Sequence, residues 1–253
     1  MSRYFIEVSY KGTCFSGFQI QKNAITVQSE IENAFKLLLK QKIQLTGSSR
    51  TDTGVHSLQN YFHFNFDEEI SKKLIYNMNA LIHEDIVIKR IFSVPESAHA
   101  RFDAVSREYK YYIYINKNPF LKEQAYHYPY RLDIDLLNEA AQIIKNTSDF
   151  TSFSKRNTQV NTFECKIFNS QWIKEEQALV YNIKGNRFLR GMVKGLVSTM
   201  LLVGRKKIDV KEFKAIIEAK DCTVANFAVP SHGLFLIAVE YPNLYTHISS
   251  KKI

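Results

Sequence analysis

Cysteine is scarce in this chain. Cys14, Cys165 and Cys222 are the only three in 253 residues, and they stand far apart. An odd, scattered trio supplies neither a disulfide framework nor a metal knuckle, and it fits a reducing compartment. Long apolar runs are also missing, which excludes a helix that crosses a bilayer. The opening Met1-Ser2-Arg3-Tyr4-Phe5-Ile6-Glu7 meets charge too early for a signal peptide, so a cytoplasmic protein is expected. The glycines form no phosphate-cradling loop. The histidines show no zinc-ligand spacing, and no Ser or Cys nucleophile signature is present. There is no low-complexity tract and no repeat of solenoid period.

What the chain does have is apolar material and positive charge. Hydrophobic residues make up 45% and aromatics 13%, enough for one large domain or two small ones sharing a core. The formal net charge is +9. A surplus of that size favours polyanions, because each phosphate contact releases condensed counterions. A membrane surface is disfavoured, since no segment is at once basic, amphipathic and rich in exposed aromatics.

Hydrophobic periodicity predicts two β-α-β themes in succession. Tyr4, Ile6, Val8 and Tyr10 alternate as in a half-buried strand. A helix is expected over Val27 to Lys40, with Thr26 as N-cap and Val27, Ile31, Ala34, Phe35 and Leu38 on its apolar face. A short strand over Lys42 to Leu45 comes next, then a polar loop from Thr46 to Gln59. A strand through Phe62, Phe64 and Phe66, a helix over Ser71 to Leu81 and a strand over Ile86 to Val94 complete the first part. The second part predicts a strand at Glu108 to Asn116, a helix at Asp133 to Lys145 and paired strands at Phe163 to Lys174 and Ala178 to Gly185. Helices at Arg187 to Val203 and Val210 to Glu218 and a strand at Leu234 to Val239 follow. The order implies an α+β protein of two ferredoxin-like lobes, 1–104 and 105–253. The basic tail Ser249 to Ile253 is expected to be mobile.

Three segments have the composition to carry chemistry. Asp52 lies two residues after Arg50 in a small-residue loop between apolar strands. Desolvation there raises a carboxyl pKa and a guanidinium lowers it, a combination that keeps a carboxylate ionised inside a pocket. The same residue also suits an Asx-type turn that only bonds backbone amides. Asp52-Thr53-Gly54 spells the tripeptide of aspartic proteases, but one copy would require a symmetric dimer, and Arg50 would oppose the shared proton. On the helix from Arg187, the residues Arg187, Arg190 and Lys194 would share a face beside a groove left by Gly191 and Gly195, which suits phosphate. The third segment is Ser106 to Tyr114, where tyrosines interleave with Arg107 and Lys110. That pattern suits base stacking and equally a tyrosine-rich core strand.

Several segments resemble one family in order. Arg50-Thr51-Asp52-Thr53-Gly54-Val55-His56 is similar to the Arg-Thr-Asp-Ala-Gly-Val-His motif of the tRNA pseudouridine synthase A family. Tyr10 to Gln19, His99-Ala100-Arg101-Phe102 leading to Arg107-Glu108-Tyr109-Lys110-Tyr111, Asn186 to Lys194 and Ser231-His232-Gly233-Leu234 match in sequence. The resemblance spans nearly the whole chain. It implies the pseudouridine synthase fold, with ferredoxin-like (RRM-like) lobes sharing a mixed, mainly antiparallel central sheet. It also implies a homodimer that binds tRNA across both subunits and isomerises uridine on the 3′ side of the anticodon stem-loop, with no metal or organic cofactor. Asp52 would be the essential carboxylate, attacking ribose C1′ or the base, or removing a ribose proton. Tyr109 would stack on the target base and assist proton transfer, and Arg50 and Lys194 would supply counter-charge. Arg101, Arg107, Tyr109, Lys110, Arg187, Arg190 and Leu234 would face the substrate. The sequence departs from the family at Ser49, Thr53, Phe18 and Lys11. At Lys194 lysine replaces an arginine and loses its bidentate fork. A binding protein of the same fold with impaired catalysis is the alternative.

Overall fold

The computed structural model describes residues 1–156, 160–242 and 245. The tail 249–253 lies outside them. The described chain is α+β, with five α-helices and a mixed, mostly antiparallel sheet. It groups into two compact units, Met1–Ser106 with the described residues of Leu236–Ile253, and Arg107–Phe235. The division at 104/105 assigns the last strand to the second lobe, whereas its contacts put Leu236 and the described residues after it in the first unit. Periodicity identifies a strand but not the partner it pairs with.

In the first unit, β1 (Ser2–Tyr10) is central. It pairs antiparallel with β3 (His56–Phe66) on one side and β4 (Ile86–Val94) on the other. One face of these strands carries Tyr4, Ile6, Val8, Tyr10, Phe62 and Phe64 into the core. The helices α1 (Val27–Leu39) and α2 (Lys72–Leu81) supply Val27, Ile31, Phe35, Leu74 and Met78 to the same cluster. Thr26 caps α1 through a capping box with Ser29, and Ser71 caps α2.

The strand expected at Lys42 to Leu45 does not form. Ile43 and Leu45 are buried, but side chains of α1 take the backbone groups of Leu45. Gln28 Nε2 donates to the Leu45 carbonyl at 2.9 Å, and Leu45 N–H donates to Glu32 Oε1 at 2.9 Å. The strand seen instead is β2 (Thr46–Gly47), paired with β3. β3 itself starts at His56, inside the stretch that reads as a polar loop. His56, Ser57 and Asn60 are buried polar residues there, so their polarity hid the strand.

The other face of the first unit carries a charged cluster. The Glu7 carboxylate accepts from Arg90 Nε at 2.5 Å, Tyr61 OH at 2.9 Å and Gln59 Nε2 at 3.1 Å. Burial pushes the Glu7 carboxyl up, but the bonds from Gln59, Arg90 and Tyr61 together outweigh it and hold the pKa below the ordinary 4.5. A depressed folded pKa adds stability that is complete above the unfolded value and lost as pH falls through the folded one. Glu7→Gln is therefore expected to lower the urea midpoint at neutral pH, with the gap to wild type closing on acidification below 4.5. A gap that stays constant with pH would show that the charge of Glu7 contributes nothing.

In the second unit, β5 (Ser106–Tyr114), β8 (Leu179–Gly185) and β7 (Ile167–Lys174) pair antiparallel in that order, and β6 (Tyr126–His127) runs parallel to β5. Tyr111, Ile113, Tyr181 and Ile183 are fully buried. They share the core of this unit with Leu137 of α3 (Ile134–Lys145), Leu196 and Met200 of α4 (Met192–Gly204) and Phe213 of α5 (Val210–Glu218). The helix expected from Arg187 starts five residues later, because its N-cap Gly191 takes a left-handed conformation at φ +76. Arg187 and Arg190 therefore lie in the segment before α4 and do not form one helical face with Lys194. The last strand, β9 (Leu234–Glu240), runs beside β3 from Leu236 on, with Val239 N–H donating to Gln59 Oε1 at 3.1 Å.

Candidate active site

The loop that carries Asp52 spans the eight residues between β2 and β3, and its backbone is fixed from several directions. Asn60, fully buried on β3, is the hub. Its Nδ2 donates to the Ser49 carbonyl at 3.0 Å and to Tyr10 OH at 3.1 Å, and its Oδ1 accepts from Ser48 Oγ at 2.7 Å. Tyr10 OH and Thr51 Oγ1 share a hydrogen bond of 2.8 Å. Burial pushes the Tyr10 phenol up to about 12, so it stays protonated as part of this network. Phe18 N–H donates to the Thr51 carbonyl at 3.1 Å, and Val55 N–H closes the turn onto the Asp52 carbonyl at 3.1 Å. Gly54 supplies the positive φ, +77, that the turn needs.

Residues 12 to 18 cover this loop closely. A Cβ on Gly12 would stand 2.0 Å from the Val55 carbonyl oxygen, and one on Gly17 would stand 3.0 Å from that of Thr51. Gly12 N–H donates to His56 Nδ1 at 3.0 Å, which assigns the ring proton of a neutral His56 to Nε2. The Phe18 ring stacks on Phe62 at 4.6 Å and occupies the space beside Gly47. Asp52 is thus half-buried on a braced turn, while Arg50 is exposed.

In the second unit, Arg107 and Tyr109 of β5 meet the segment before α4. Arg107 is buried, and its Nη1 donates to the Asn186 carbonyl at 2.9 Å. The half-buried Tyr109 ring meets Phe188 edge to face at 5.1 Å. Lys110 points to the opposite face of the strand, where its Nζ pairs with Glu175 at 3.2 Å. Arg187 is half-buried and Arg190 exposed. Lys194 Nζ donates to Ser231 Oγ at 3.0 Å, which ties α4 to the turn ahead of the buried Leu234. That turn rests on Tyr111, whose OH donates to the Pro230 carbonyl at 2.7 Å. Gly233 lets the Tyr111 ring approach to where a Cβ would stand 2.8 Å away. The groove expected at Gly191 and Gly195 is filled. The Lys155 side chain lies against Gly191, and the rings of Phe227 and Phe153 lie against Gly195. Arg101 belongs to the first unit, exposed on the turn after β4.

Cys14, His83 and Asp85 bring a thiol, an imidazole and a carboxylate within 4.8 Å of one another. His83 Nδ1 already accepts the Asp85 N–H at 3.1 Å, and Cys14 is exposed, so the cluster is a poor ligand set. No helix of the described residues is long and apolar enough to cross a membrane.

Residues 140–242 match the family model described as tRNA pseudouridine synthase. Over 244 residues the chain is 44% identical to tRNA pseudouridine synthase A of Parabacteroides distasonis, covering 96% of this chain and 97% of that one. This chain belongs to the tRNA pseudouridine synthase A family. It is also 42% identical to the tRNA pseudouridine synthase A of Azobacteroides pseudotrichonymphae over 96% of this chain and 98% of that one. For the Bacillus subtilis tRNA pseudouridine synthase A the identity is 39%, over 93% and 98%. In a member of this family, Asp52-Thr53-Gly54 is no mark of an aspartic protease. Sequence reasoning passed over Asn60, and it placed Tyr10 on the first strand and in a matched segment without its role in bracing the Asp52 turn. The signal for Asn60 was an amide inside an aromatic strand, a residue type depleted from strands unless its side chain is bonded.

Proposed function

We propose that this protein is an isomerase that converts uridine to pseudouridine in tRNA, with Asp52 as its catalytic nucleophile. The near-full-length identity to tRNA pseudouridine synthases A carries this reading. The braced, half-buried turn of Asp52 supports the assignment, because a reacting carboxylate has to be positioned before its substrate arrives. The reaction breaks the bond from uracil N1 to ribose C1′, turns the base and joins C5 to C1′. C5 loses a proton and N1 gains one, so composition and oxidation state do not change and the reaction calls for no redox or group-transfer cofactor.

Tyr109 would stack on the target base, and Lys194 and Arg50 would supply positive charge. Arg101, Arg107, Lys110, Arg187 and Arg190 would contact the tRNA, with Leu234 lining the substrate site. The substrate would be uridine on the 3′ side of the anticodon stem-loop, acted on in the cytoplasm by a homodimer. Reaching a paired base requires flipping it out at a cost of a few kcal/mol, which backbone contacts with a basic surface offset.

The test is to incubate the protein with unmodified tRNA transcripts and map pseudouridine by carbodiimide-dependent primer extension. Stops in the anticodon stem-loop are expected. tRNA bound without any pseudouridine would favour the binding-only alternative. Lys194→Ala is expected to lower kcat about ten-fold or more. An unchanged kcat would remove Lys194 from the site.

A further inference from the structure

The turn after β4 presents an aromatic ring to solvent. Phe102 is 73% exposed, although burying a phenylalanine is ordinarily favourable. The ring does not hang loose. It packs on His99 at 4.2 Å between ring centroids, and His99 packs edge to face on the buried His63 at 4.5 Å. The Arg101 guanidinium lies 5.6 Å from the Phe102 centroid.

The two histidines also shape the backbone of the turn. His63 Nδ1 accepts the Ala100 N–H at 3.1 Å. His99 Nδ1 accepts the N–H groups of Arg101 at 3.1 Å and Phe102 at 3.3 Å. Both rings must be unprotonated at Nδ1 to do this. Burial first, then the neighbouring His99 and Arg3, push His63 down to about 4 against the opposing Asp103. His99 is lowered as well, by burial and by Arg3 and Arg101, again against Asp103. Around them Asp103 Oδ2 accepts the His99 N–H at 2.6 Å, and Arg3 Nη1 donates to the Ala98 carbonyl at 2.8 Å.

We propose that Phe102 and Arg101 form a stacking platform for an unpaired nucleotide of the tRNA, and that His63 and His99 are positioning residues that hold it open. An exposed ring flanked by a guanidinium offers a π-face to a base and a charge to its phosphate. The net charge of +9 favours a polyanion over an apolar protein partner for this ring. The inference rests on tRNA being the substrate.

The experiment measures affinity of the full-length protein for an unmodified tRNA transcript alongside pseudouridine formation. Phe102→Leu is expected to weaken affinity roughly ten-fold, and Phe102→Tyr to leave it near wild type. His99→Ala should reproduce the loss, and His99→Asn, whose Oδ1 can replace the Nδ1 acceptor, should restore most of it. Wild-type affinity in Phe102→Leu would overturn the platform, as would equal losses in the Leu and Tyr variants. A His99→Ala protein that loses thermal stability but binds tRNA as wild type does would overturn the positioning role. If wild type binds tRNA without forming pseudouridine, the synthase reading fails while the affinities still decide the platform. Failure of wild type to bind tRNA would overturn both.

Discussion

Asp52→Asn is expected to lower kcat by at least about 10⁴-fold while tRNA affinity stays within a few fold. The substitution keeps the size of the side chain and removes its charge and nucleophilicity. The turn should survive it, because the bonds from Asn60 to Ser49, from Phe18 to Thr51 and between Tyr10 and Thr51 do not involve the carboxylate. Loss of product can therefore be read as loss of chemistry. The check is single-turnover pseudouridine formation on an unmodified transcript, with binding measured on the same preparation. Substantial turnover in this variant would mean that another group carries the reaction.

Gly12→Ala is expected to have the largest structural effect. Its Cβ would lie 2.0 Å from the Val55 carbonyl oxygen and 2.6 Å from the Val55 carbonyl carbon. These are backbone atoms, so no rotamer change relieves the clash. Either residues 12 to 18 or the Asp52 turn must move. The stability cost is about 3 kcal/mol, the upper range for overpacking, read as a lower melting temperature. A displacement of about 1 Å at a reacting group also costs roughly 100-fold in rate, so kcat should fall with stability. A Gly12→Ala protein with wild-type melting temperature and turnover would show that the segment does not brace the turn.

The periodic segments were legible because a strand or helix that packs on a core repeats its apolar residues at a fixed interval. β1, α1, α2, α3 and α5 fall within a few residues of their predicted bounds. The misses share a cause. Lys42 to Leu45 has the apolar content of a strand, but Gln28 and Glu32 of α1 reach its backbone first. β3 looked like a loop at its start because His56, Ser57 and Asn60 bury hydrogen bonds in place of apolar surface. The basic helix lost Arg187 and Arg190 to the left-handed Gly191, a backbone choice that permissive glycine leaves undetermined in the sequence. The groove expected from Gly195 vanished because Phe227, thirty-two residues away, packs there.

The α+β class, the basic charge and, through the ordered motifs from Tyr10 to Leu234, the family are legible in the chain of residues alone. These properties follow from residue type, spacing and order, which need no coordinates. How Asp52 is held, and which cations stand in solvent, emerges from the folded arrangement. Bracing of that kind depends on residues distant in the chain, Tyr10, Gly12, Phe18 and Asn60 around one turn, and local pattern carries no record of which side chain will reach which backbone group.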